Sequence, residues 1–242
     1  MHPVLLKAHF LTVYSYGLCV AVAMALTLTL AFRQSARAGV PWTDVLDLLF
    51  ILFVAGIAGA RIFYVLQYWE NFRGDWPAML RLQEGGLVWY GGFLLALLCG
   101  IFYCVWKKQP VLFWMDFFAP LAALAHAVGR VGCFLNGCCL GRPTDFFLGV
   151  RFPEEAFRRH PVQLYESALL ALLALALLAM GRKQRKPGEI FATYVLFYGL
   201  MRFMLEFLRA DQALFFHLTL PQWISVVLAG AAIVFLKSAR RK

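Results

Sequence analysis

Residues 48–66 read LLFILFVAGIAGARIFYVL, an apolar run whose only charge is Arg61. A helix needs about 20 such residues to cross about 30 Å of hydrocarbon, whereas a helix on a soluble protein keeps a polar face. The stretch therefore predicts a membrane span. Composition agrees: 62% of the 242 residues are hydrophobic and 15% are charged, far from a soluble globular mixture.

Working outward from it, apolar runs of similar length recur at about 11–32, 45–67, 86–106, 112–134, 163–181, 189–208 and 219–236. Lipid tolerates helices or closed barrels, and a barrel would show short alternating segments rather than continuous runs. The expected fold is all-α, a polytopic membrane protein with about seven transmembrane helices. The first run is longer than the core of a signal peptide and no small-residue cleavage site follows it, so it is expected to be retained as a helix. No repeat or low-complexity tract divides the chain, which predicts a single domain over 1–242 with a small outer segment at about 136–162.

Basic residues mark alternate helix ends: Arg33 and Arg37, Lys107 and Lys108, Arg182, Lys183, Arg185 and Lys186, then Lys237, Arg240, Arg241 and Lys242. The positive-inside rule assigns these ends to the cytoplasm, leaving the N-terminus outside and the C-terminus cytoplasmic. In the outer segments, arginines are balanced by acids such as Glu70, Asp75, Glu84, Glu154 and Asp211. The formal net charge of +10 therefore reads as anchoring beside anionic headgroups, with no nucleic-acid partner implied.

Five charges fall within the apolar runs: Arg61, Arg130, Glu166, Arg202 and Glu206. A charge at the middle of a lone helix costs at least about 2.5–3.5 kcal/mol, so each needs a partner, a wet cavity or an interfacial position. Arg202 and Glu206 are one turn apart and can pair with each other. Arg130 has no carboxylate three or four residues away, so its counter-ion comes from another helix or from a bound anion. A guanidinium keeps its charge and offers phosphate a planar fork of donors. Arg130 and Arg202 on different helices could thus hold a lipid phosphodiester from two sides.

His126 precedes Arg130 by one turn, placing a group that titrates near neutrality beside such a clamp. It serves either as a base or as a histidine bonded to a nearby carbonyl. Two Gly-Gly steps bracket Trp89 and Tyr90, where Gly91 and Gly92 allow either a ligand or another helix to approach closely. Cys133, Cys138 and Cys139 include ligand types used for zinc, but without a recognised paired spacing. A disulfide is an alternative there, and a small buried hydrophobe is another.

The blocks YSYGL (14–18), GARIFYVL (59–66), GGLVWYGGF (85–93), GRVGCFLNGCCLGR (129–142), HPVQLYE (160–166) and YGLMRFMLEFLRAD (198–211), in this order, resemble the prolipoprotein diacylglyceryl transferase family. The resemblance implies an enzyme of the bacterial inner membrane. Its reaction transfers diacylglyceryl from phosphatidylglycerol to the lipobox cysteine of a prolipoprotein signal peptide, forming a thioether and releasing glycerol phosphate. By similarity Arg130 and Arg202 fall on essential arginines and Tyr16 on a functional tyrosine. Asn136 and Gly141 fall on the signature, and His160, Gln163, Tyr165, Glu166, Glu206 and Arg209 on matching positions.

The departures are specific. The signature G-R-x-G-N-F-x-N-x-E-x-x-G is met here with Cys133 in place of its first asparagine and Cys138 in place of its glutamate. Tyr90 stands where many members have histidine. His126 and Tyr90 are then the candidates for proton removal, and Tyr90 is better suited to positioning a headgroup because a phenol is a poor base at neutral pH. Arg61, Gly91 and Gly92 join the candidate lipid-binding residues. No metal or organic cofactor is expected. The competing readings are an anionic-lipid-binding or transporting membrane protein and a structural membrane subunit whose arginines are paired internally.

Overall fold

The computed structural model describes residues 4–8, 11–82, 85–153, 155–210 and 214–241. Glu84, Glu154, Asp211 and Lys242, counted in the charge pattern above, lie outside these. The described residues form seven α-helices: α1 (Ser15–Ala38), α2 (Trp42–Gln67), α3 (Trp89–Trp106), α4 (Val111–Asn136), α5 (Val162–Met180), α6 (Glu189–Glu206) and α7 (Leu220–Arg241). Each matches a predicted run. Six are long and apolar enough to cross a membrane. The remaining one, α6, bears Glu189, Arg202 and Glu206.

The first run starts later than expected. Leu11–Tyr14 forms strand β2, paired with β1 (Val4–Ala8) in an antiparallel hairpin, so α1 begins at Ser15. Two shorter hairpins occupy loops: β3 (Val150–Arg151) with β4 (Arg158–Arg159), and β5 (Leu214–Phe215) with β6 (Leu218–Thr219). Large apolar side chains such as Phe50, Phe102, Leu172 and Val234 point outward, a surface that only lipid or another chain would solvate well.

The helices group into two compact units. The smaller, Phe32–Val111, is built on α2 and α3. A Cβ on Gly59 would lie 2.4 Å from the Gly91 carbonyl oxygen, and one on Gly92 would lie 2.6 Å from the Gly56 carbonyl oxygen. These helices touch backbone to backbone, which only glycine permits.

The larger unit comprises residues up to Ala31 and those from Leu112 onward. Its core joins Ala119 and Ala123 of α4, Ala174 and Leu177 of α5, and Ile190 of α6. The alanines bring the three helices close. Asp116 of α4 accepts hydrogen bonds from the amides of Gly188 and Phe191, each at 2.7 Å. A carboxylate there satisfies orphan donors and complements the positive end of α6. This contact sets the start of α6 beside the start of α4, so their C-terminal ends share one side of the unit.

Candidate active site

That shared end is where the predicted charges meet. Arg130 lies six residues before the end of α4 and Glu166 four residues into α5, depths of roughly 9 and 6 Å at 1.5 Å per residue. Both sit near a helix end, away from the costly bilayer centre.

Glu166 is completely buried and supplies the counter-ion that Arg130 lacks on its own helix. Its Oε2 lies 2.9 Å from Arg130 Nε, and its Oε1 lies 3.6 Å from His126 Nε2. Ser167 donates to the Ala127 carbonyl at 2.8 Å, pinning α5 to α4 beside this contact. On α6, Arg202 Nη2 meets Glu206 Oε2 at 2.8 Å, the predicted one-turn pair. Arg209 Nε is 3.7 Å from the same oxygen, and Thr219 Oγ1 donates to the other at 3.0 Å. The charges of both Arg130 and Arg202 reach the His126 ring. Three guanidinium groups thus face two buried carboxylates. One positive charge remains, and the buried Nη1 of Arg202 hydrogen-bonds to nothing among the described residues.

The loops tie this cluster together. Gly141 pairs with Arg209 as a single β-bridge, Ala210 N donates to the Leu140 carbonyl, and Arg142 N donates to the Leu208 carbonyl. A Cβ on Gly141 would lie 2.3 Å from the His160 carbonyl oxygen, which accounts for glycine at this signature position. His160 Nδ1 lies 3.4 Å from the Tyr165 hydroxyl, and Gln163 donates to the Cys138 carbonyl. Asn136 is the exposed last residue of α4, two residues before Cys138. Tyr16, in the first turn of α1, packs against α4 at Gly132.

Arg61, Tyr90, Gly91 and Gly92 belong to the smaller unit. Arg61 donates through Nε, Nη1 and Nη2 to the carbonyls of Met79, Gly85, Gly86, Ala78 and Arg81 at 2.6–3.2 Å. A guanidinium has five N–H donors, so its capacity is taken by the loop it holds. The partners of this charge are backbone carbonyls of its own unit. Gly91 and Gly92 serve the α2–α3 contact. Tyr90 is half exposed at the start of α3, edge-on to Trp89 at 5.3 Å.

Two residues at this end of the larger unit went unnoticed in the sequence. The Tyr198 ring lies 5.5 Å from that of His126, and Tyr194 stacks on Tyr198 at 5.9 Å. Their signal was available: Tyr194, Tyr198, Arg202 and Glu206 follow in steps of four, a single stripe along α6.

Residues 3–237 match the family model for prolipoprotein diacylglyceryl transferase. The chain belongs to this family. A relative from Clostridium tetani, named phosphatidylglycerol–prolipoprotein diacylglyceryl transferase, is 35% identical over 216 residues, covering 87% of this chain and 86% of its own. One of the same name from Streptococcus pyogenes serotype M5 is 30% identical over 251 residues, covering 100% and 96%. Within the family signature, the Cys138–Cys139 pair follows α4 after the single residue Gly137.

Proposed function

We propose that this chain performs the transfer its relatives are named for, moving diacylglyceryl from phosphatidylglycerol to the lipobox cysteine of a prolipoprotein in the bacterial inner membrane. The observation that carries this reading is the charge imbalance at the α4–α6 end, where Arg130, Arg202 and Arg209 outnumber Glu166 and Glu206. A phosphodiester supplies the missing negative charge.

In the reaction the acceptor thiolate attacks the glycerol carbon that bears the phosphate ester. A carbon–sulfur bond forms, the carbon–oxygen bond breaks, and glycerol phosphate leaves with the electron pair. Negative charge grows on the departing phosphate. Arg130 and Arg202 stabilise it as preorganised cations in a poorly hydrated site. His126, one turn from Arg130, takes the thiol proton. Glu166 is the positioning residue, holding both His126 and Arg130. Tyr16, Asn136, Gln163, Tyr165 and His160 line this end of the unit as candidates for substrate contact.

The basic ends of the helices favour an orientation with the N-terminus periplasmic and the site toward the outer leaflet. The whole chain acts as one transferase domain in this reading.

The test is transfer of labelled diacylglyceryl from phosphatidylglycerol vesicles to a lipobox peptide by the purified protein. Transfer that falls at least about 100-fold in Arg130→Ala, the scale for removing one preorganised donor, and vanishes with a Cys-to-Ser peptide supports the reading. A folded protein that binds anionic lipid without transfer overturns it in favour of lipid binding or transport.

A further inference from the structure

The turn that ends α4 gathers three thiols. Gly137, at φ 73°, donates to the Phe134 carbonyl at 3.1 Å, and Cys138 N donates to the Cys133 carbonyl at 3.1 Å. This pair of bonds is a Schellman cap, which brings the side chain two places beyond the helix against the one three places inside it. Those two side chains are Cys138 and Cys133. The next residue, Cys139, is held at φ 61°, a left-handed conformation that non-glycine residues seldom adopt. The three Sγ atoms lie within 4.8 Å of one another. The sequence spacing gave no hint of this, because a helix cap and a left-handed residue produce the proximity, not a pair of Cys-x-x-Cys loops.

We propose that Cys133, Cys138 and Cys139 form a three-thiolate site for a zinc-class divalent ion, with a fourth position open to the acceptor thiol. The inference rests on the proposed function for its last part only. With zinc–sulfur bonds of about 2.3 Å, a tetrahedral site spaces its sulfurs about 3.8 Å apart. Thiols already within 4.8 Å reach that spacing by small rotations. Among the described residues no histidine or carboxylate joins the group, so the protein supplies three ligands, the number typical of zinc sites that keep a position open for chemistry.

Three thiolates around a divalent ion carry one net negative charge. Arg130 Nη1 donates to Cys139 Sγ at 3.9 Å, which places the site next to the phosphate-binding arginines.

The chemistry matches a thiol substrate. A thiol that coordinates zinc is deprotonated outright yet remains sulfur-centred and nucleophilic. The acceptor thiol would bind in the fourth position, its proton passing to His126. The bound sulfur then attacks the glycerol carbon. The sulfur–metal bond gives way to a sulfur–carbon bond as glycerol phosphate departs, and the ion keeps its charge. This chain, with Tyr90 where many relatives have histidine and Cys138 in place of the signature glutamate, thereby gains a second means of activating the thiol.

The test uses the full chain purified reduced in detergent, with Co2+ as the spectroscopic probe and Zn2+ as competitor. The expected result is one equivalent of Co2+ per chain with thiolate-to-cobalt absorption and the visible bands of a tetrahedral site, lost on adding Zn2+. Cys133→Ser, Cys138→Ser and Cys139→Ser each weaken binding at least about 100-fold, beyond the usual loss from an outer-shell partner. Cys99→Ser, outside the cluster, leaves it unchanged. If the serine variants misfold, alkylation of the wild-type protein replaces them: Zn2+ slows the labelling of these three cysteines, and equal labelling with and without Zn2+ overturns the site. A folded, reduced wild-type protein without cobalt bands overturns the proposal, as does a disulfide joining two of the three.

A cysteine-containing lipobox peptide should shift the visible bands, and its serine counterpart should not. No shift overturns the open-position role. Undiminished transfer by metal-free protein overturns the open-position role while leaving the proposed function standing. Metal binding without any transfer, even after Zn2+ is restored, overturns the proposed function and leaves the three-thiolate site standing.

Discussion

Glu166, fully buried on α5, holds Arg130 and His126 of α4 at once, at 2.9 and 3.6 Å. The carboxylate serves two neighbours that sit one turn apart, so its charge and its shape can be separated by mutation. Glu166→Gln keeps the shape. We expect it to fold, to bind phosphatidylglycerol, and to lose about 10- to 100-fold in kcat, because a misplaced positioning group costs rate more than affinity. Glu166→Ala leaves Arg130 buried without a counter-ion, which destabilises by roughly 3–5 kcal/mol. Thermal unfolding in detergent beside transfer kinetics distinguishes the two. Equal kcat in Glu166→Gln and wild type would remove Glu166 from the mechanism.

Arg61 presents the opposite case. Its five hydrogen bonds all go to carbonyls between Met79 and Gly86 or just before them, and the rings of Tyr64 and Phe72 each lie 5.5 Å from its guanidinium carbon. Lysine offers three donors from one point and cannot copy this fork. Arg61→Lys should therefore raise amide hydrogen exchange across 78–86 and lower the Tm, with KM for phosphatidylglycerol following the loss of fold. A raised KM with exchange unchanged would instead assign Arg61 to lipid binding.

Much of this arrangement was legible beforehand. The seven apolar runs located the helices, since hydrocarbon thickness fixes span length, and the Arg202–Glu206 pair followed from helical periodicity. The partner of Arg130 was not legible, because Glu166 is 36 residues away and only the packing of α4 on α5 joins them. The β1–β2 hairpin was hidden for another reason: Leu11–Tyr14 is apolar and runs into α1 without a break in hydropathy. Tyr194 and Tyr198 were overlooked although their four-residue steps were visible. Aromatic residues in a membrane helix are common enough to hide a functional stripe.

Gly141 tests whether the loop between α4 and α5 must close on α5. A Cβ there meets the His160 carbonyl oxygen at 2.3 Å and Val162 Cγ2 at 2.8 Å. Backbone cannot yield as a flexible side chain does. Gly141→Ala should cost on the order of 1–3 kcal/mol, the range for overpacking, and should loosen the bridge to Arg209. Gly230, with nothing within 4 Å of its added Cβ, is the control. Gly230→Ala should stabilise α7 by about 0.5–1 kcal/mol. Equal Tm values for the two variants would refute the close approach.

The stripe on α6 yields the last prediction. The Tyr198 ring meets His126 at 5.5 Å on one side and Tyr194 at 5.9 Å on the other, and Arg202 follows one turn later. If the ring's packing matters, Tyr198→Phe retains it, while Tyr198→Leu loses the flat contact against the imidazole. We expect Tyr198→Phe to stay within about threefold of wild-type transfer and Tyr198→Leu to fall at least tenfold, a loss of about 1.4 kcal/mol in transition-state stabilisation. His126→Ala should then abolish the difference between them, because two residues that act through one contact are not additive. A Tyr198→Phe loss as large as that of Tyr198→Leu would move the role to the hydroxyl, and a difference that survives in the His126→Ala background would place the ring's contribution on Arg202 instead.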